Sequence, residues 1–93
     1  MITNSINPIK KRREEKGLTQ VDMALQIGVS QVHISQFETG GLIPSQSQIK
    51  EITEILGLDP ETLNKELREF YESRKRELKK RMEGNQRNAE IPL

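Results

Sequence analysis

The chain has 93 residues, 32% hydrophobic and 31% charged, with a formal net charge of +1, so it can form one small domain with at most an added element. With no cysteine and a single histidine, His33, it excludes a disulfide scaffold, a zinc finger and a thiol nucleophile, and any triad or histidine-bearing metal site would have to use His33. No apolar run approaches the roughly 18 residues of a membrane span and no signal peptide opens the chain, so the expected compartment is the cytoplasm.

Capping residues and glycines predict a series of helices. Asn7-Pro8 opens the first, because Asn caps well and Pro suits the first helical position. It runs through Ile9 and the basic cluster Lys10-Lys11-Arg12-Arg13 to a stop at Gly17. Thr19 caps a second helix, with Asp22 in capping-box register. Val21, Met23 or Ala24, Leu25 and Ile27 are expected on its inner face, and Gly28 ends it. Ser30 caps a third helix, whose inner face is Ile34 and Phe37, and Gly40-Gly41 terminates it. Ser45 and Gln48 form a second capping-box pair, opening a helix with Ile49, Ile52, Ile55 and Leu56 at helical spacing. Asp59-Pro60 opens a fifth helix, expected to break at Gly84-Asn85. No stretch alternates at period two, so no strands are expected. The second and third helices are joined only by Gly28 and Val29, which forces the sharp angle of a helix-turn-helix.

The pieces Lys11-Arg12-Arg13-Glu14-Glu15-Lys16-Gly17-Leu18-Thr19-Gln20, Ala24, Gly28-Val29-Ser30-Gln31, Ile34-Ser35-Gln36-Phe37-Glu38-Thr39-Gly40, Pro44 and Ile52 to Leu58 stand at telling spacings. Together they make the stretch Ile9 to Leu58 resemble the Cro/repressor helix-turn-helix family, also called XRE-like. The resemblance implies an all-α, five-helix, lambda-repressor-like domain, and residues 60 to 83 exceed what that core needs, so an extended C-terminal helix is expected. Residues 1–59 would be the DNA-binding domain, 60–83 a dimerisation helix and 84–93 a flexible tail. The resemblance also implies an ion pair between Arg13 and Glu38.

In such a domain the helix Ser30 to Glu38 would enter the major groove. Gln31, Val32, Ser35 and Gln36 match base-facing positions. Gln can bond bidentately to adenine, while Val can meet only apolar surface such as a thymine methyl. Gln20, Ser30, His33, Thr39 and Lys10 are expected at the DNA backbone. The sequence departs from the family where Gly41-Leu42-Ile43 replaces the usual basic residues. Leu42 and Ile43 are expected to tuck beneath the loop, the alternative being contact with a second protomer.

Charge distribution sharpens this departure. Residues 1–59 hold six Lys/Arg and seven Asp/Glu, a net of −1, whereas residues 73–93 carry +4. Affinity for DNA rests largely on phosphate neutralisation, so charge should come from elsewhere. Lys10, Lys11 and Arg12 are one source, and Arg74-Lys75-Arg76 with Lys79-Lys80-Arg81 is another. On the fifth helix, Leu67, Phe70, Tyr71 and Leu78 have no evident partner in so small a domain and are assigned to dimerisation. Packing against its own domain, or against another protein or a membrane surface, would be the alternatives.

The expected function is a sequence-specific regulator of transcription from a prokaryote, phage or plasmid. It would be a dimeric repressor on a palindromic double-stranded operator, cytoplasmic and nucleoid-associated when bound. A regulatory protein could act on the C-terminal helix. Neither a cofactor nor a metal is expected, nor an enzymatic activity. The competing readings are an antitoxin, with residues 60–93 holding the toxin, and a protein–protein interaction module.

Overall fold

The computed structural model describes residues 6–90, with side chains described through Glu83. Five helices follow one another: α1 (Pro8–Glu15), α2 (Gln20–Ile27), α3 (Gln31–Thr39), α4 (Gln46–Leu56) and α5 (Pro60–Glu90). Among the described residues there is no strand.

Each helix starts where a side chain satisfies amides that the helix leaves unpaired. The Ile9 amide donates to Asn7 Oδ1 at 2.8 Å. Thr19 and Asp22 bond reciprocally, as do Ser45 and Gln48. Ser30 Oγ accepts from the His33 amide, and Asp59 accepts from both the amide and the hydroxyl of Thr62. Three helices end on glycines with left-handed backbones, φ being 84° at Gly28, 86° at Gly40 and 74° at Gly57. That conformation costs a side-chain-bearing residue roughly 1–2 kcal/mol, which explains why these helices stop there.

Every helix contributes to one core. Ile9, Met23, Ala24, Ile34, Phe37, Ile49, Ile52, Leu56, Leu63 and Leu67 are buried together, and Leu18, Ile27, Val29, Leu58 and Tyr71 pack around them. Each large aliphatic or aromatic side chain so buried contributes about 1.5–3 kcal/mol. Ala24 is small enough to leave α2 and α3 in close contact. Two polar clasps bind α5 to the rest. Arg12 makes a two-pronged ion pair with Glu66, and Gln46 and Asn64 exchange amide hydrogen bonds.

Several expectations are corrected. Val21 and Leu25 face solvent, Leu25 at 76% exposure, because Met23, Ala24 and Ile27 already fill the inner face of α2. On α4, Thr53 is buried while Ile55 is half-exposed; the Thr53 hydroxyl donates to the Lys50 carbonyl, which makes burying it inexpensive. Leu42 and Ile43 do not tuck beneath their loop. Ile43 is 68% exposed, and Pro44 takes the inner position. Leu67 and Phe70 have a partner after all, in their own domain, and Tyr71 is half-buried beside them. Finally, α5 continues through Gly84-Asn85 to Glu90. A single interior glycine weakens a helix by only about 1 kcal/mol, and no proline intervenes. Residues 91–93 of the expected tail lie outside the described residues.

Two of the caps should be visible in acid. Hydrogen bonds from the Thr19 amide and hydroxyl hold the Asp22 carboxyl below its usual range, and the Thr62 hydroxyl and amide do the same for Asp59. A carboxyl depressed in the folded state stabilises the fold above its unfolded pKa of about 3.9, and that stabilisation is lost as pH falls through the folded value. The double variant Asp22→Asn/Asp59→Asn should therefore show a flatter decline of urea midpoint below about pH 4 than the parent. An equally steep decline would show that other carboxylates carry the acid response.

Candidate nucleic-acid interface

The interface begins with an ion pair in the interior. Arg13 Nε and Nη2 donate to the two oxygens of Glu38 at 2.6 and 3.1 Å, and Arg13 Nη1 donates to the Leu18 carbonyl at 2.7 Å. Both residues are buried. The Glu38 hydrogen bond and charge hold the Arg13 guanidinium above its usual pKa, against the opposing cost of desolvation. One residue of α1 is thereby joined to the last turn of α3 and to the approach to α2.

The network then runs outward. Gln20 Nε2 donates to Glu38 Oε1 at 3.0 Å, and Gln31 Nε2 donates to Gln20 Oε1 at 3.0 Å. Its polarity has one cause. A carboxylate can only accept, so Gln20 must turn its NH2 group inward. Its carbonyl oxygen then faces Gln31, which must answer with its own NH2. The Gln31 carbonyl oxygen and second amide hydrogen stay free. A donor and an acceptor side by side are what an adenine edge requires.

At 100° per residue, Gln31, Val32, Ser35, Gln36 and Thr39 share one face of α3, away from Ile34 and Phe37, while Glu38 lies at its buried edge, two turns on from Gln31. Gln31, Val32, Gln36 and Thr39 are exposed and Ser35 is half-buried. Val32, at 61% exposure, is an apolar point on an otherwise polar face.

The remaining site residues are more scattered. Ser30 lies at the N-terminus of α3, with Oγ 2.9 Å from His33 Nδ1. The His33 tautomer protonated on Nε2 presents an N–H donor to solvent. His33 also sits edge-on to Phe37, with ring centroids 6.4 Å apart, on the flank of the helix away from Gln31. The Thr39 hydroxyl donates to the Gln36 carbonyl, so its proton is already engaged. Lys10 is exposed on α1, and no described contact ties it to the α3 face. Arg12, a possible source of charge for DNA, is committed to Glu66 instead. Among the described residues no group of His, Cys, Asp and Glu could hold a metal ion, and no helix is long and apolar enough to cross a membrane.

Two features escaped the sequence. Asn7 caps α1 and also donates from Nδ2 to the Phe37 carbonyl at 3.1 Å, fastening α1 to the last turn of α3. The Gln20–Gln31 contact joins residues eleven apart. Neither has a local signature; the presence of Gln at both positions was the only clue.

Residues 9–63 match a family model described as helix-turn-helix. The chain is also similar to the ImmF control region 10 kDa protein of Bacillus phage phi105, with 37% identity over 51 residues. The match covers 55% of this chain and 57% of that protein, so the chain spans little more than half the length of its curated relative. No solved structure matches it significantly.

Replacing Glu38 by Gln should test the network. The change is isosteric but leaves the buried Arg13 charge with only the exposed Glu14 carboxylate, 3.9 Å away, as a partner. A loss of about 3 kcal/mol in urea unfolding is expected, the lower end for a severed buried pair, since the domain is small and water is near. A loss below about 0.5 kcal/mol, the scale of an exposed pair, would show that the pair contributes little to the fold.

Proposed function

The chain belongs to the helix-turn-helix family of the Cro/repressor type, and on that premise we propose that it is a sequence-specific regulator of transcription, a dimeric repressor acting on a two-fold symmetric duplex operator. The observation that carries this reading is the exposed polar face of α3, whose leading residue Gln31 is oriented from the interior through Gln20 and Glu38. A side chain held in position before it meets a base loses less entropy on binding.

In this reading α3 enters the major groove. Gln31 reads an adenine through its free carbonyl oxygen and amide hydrogen, and Val32 meets a thymine methyl. Ser35 and Gln36 face bases further along. Gln20 keeps one amide hydrogen for a phosphate, beside the unpaired amides at the start of α2. Ser30 and His33 meet the backbone at the start of α3, and Lys10 and Thr39 are weaker contributors to it.

A symmetric operator calls for a symmetric dimer. Leu67 and Phe70 are occupied by their own core, and exposed Leu78 and Met82 lie in a stretch of net charge +4 that a second copy would repel, so we assign the contact between copies to exposed Leu42 and Ile43. The phage relative's name places that protein in a control region, and we extend a regulatory role in a phage or other prokaryotic setting to this chain. DNA is the partner, the cytoplasm is the compartment, and no cofactor or catalytic step is assigned.

Selection from a random duplex library tests the proposal. The parent should enrich an inverted repeat with half-sites about one helical turn apart. Gln31→Ala should lose or broaden the preference at one position per half-site, a discrimination of about 1–3 kcal/mol. Binding without any enriched repeat would overturn the operator reading.

A further inference from the structure

α5 changes character at Phe70. Leu63, Leu67 and Phe70 point into the core. At the same three- and four-residue spacing the face continues as Arg74, Leu78 and Arg81, where no core remains to receive it. These residues run past the end of α3. Thr39, Gly40, Phe70, Arg74, Leu78 and Arg81 line one shallow groove, so the cationic overhang adjoins the C-terminal end of the helix that reads bases.

The overhang is strongly charged. Residues 73–83 carry six Lys/Arg and two Glu, a net of +4. None of the six cations forms an ion pair with a described side chain. Arg74 leans over the Phe70 ring, 5.8 Å from its centroid, and so stands at the groove wall. Residues 1–59 carry −1, and the loop that would bring basic residues to DNA reads Gly41-Leu42-Ile43.

We infer that the α5 face around Arg74, Lys75 and Arg81 binds the phosphate backbone of the duplex whose major groove α3 enters. This rests on the DNA-binding reading above and adds a second contact to it. The occupant follows from charge. A second copy would bring its own +4 to the same face and be repelled. A membrane would find only Leu78 and Met82 as apolar anchors on this stretch. A phosphate strand meets cations that no described carboxylate engages, beside an element already proposed to lie against DNA.

Salt titration of duplex binding tests this. Each phosphate neutralised contributes about −0.9 to the slope of log affinity against log salt. The variant Arg74→Gln/Lys75→Gln/Arg81→Gln should show a slope shallower by about two to three per protomer, and so by about five for a bound dimer, on both a random duplex and the duplex enriched by the parent. Affinity should fall by the same factor for both. Arg74→Lys/Arg81→Lys should retain the parental slope. An unchanged slope in the Gln variant would overturn the inference while leaving the operator reading intact. An unchanged slope with loss of self-association in sedimentation would overturn it in favour of a second copy. A parent chain that bound neither duplex would overturn both readings together.

Discussion

Glu38 is an acceptor on every side, and much of the domain is arranged around that restriction. Its carboxylate must be met by donors because it is buried, and uncompensated burial would cost several kcal/mol. Arg13 comes from α1 and Gln20 from the start of α2. The need to neutralise one charge therefore holds three helices in register. It also dictates which way two amides turn, half-buried Gln20 and exposed Gln31. A requirement of the interior becomes a pattern of donors and acceptors outside.

The same economy governs the rest of the fold. Short helices contribute little stability by themselves, so they depend on caps and on a shared core. Asn7 shows how closely the two are linked. One side chain starts α1 and, through its other end, closes the last turn of α3. α5 is different in kind. Its first half is a wall of the core, and its second half is surface with a composition of its own.

What was legible in the sequence was local. Caps such as Thr19-Asp22 and Ser45-Gln48 lie three residues apart, within the reach of a single turn, and the glycines that end helices act through their own backbones. The order and number of the helices follow from these. Burial was less legible, since it depends on which faces other helices have already claimed. Val21 and Leu25 looked internal and are exposed; Leu67 and Phe70 looked external and are buried. Periodicity gives a face but not its direction. The candidate site was half legible: Gln31 and Gln20 stood out by position, but the link between them needs the angle of the turn at Gly28.

The long α5 has a mechanical consequence. Its near end is pinned by Glu66 and Asn64, and its far end, Glu90, lies twenty residues beyond Phe70. That is roughly 30 Å of helix. A tilt of about 5° at the pivot swings the tip by about 3 Å, which is comparable to a hydrogen-bond length. The pivot is where Tyr71 sits, its hydroxyl buried without a described partner and its pKa pushed up by burial. A small repacking there would be magnified along the helix.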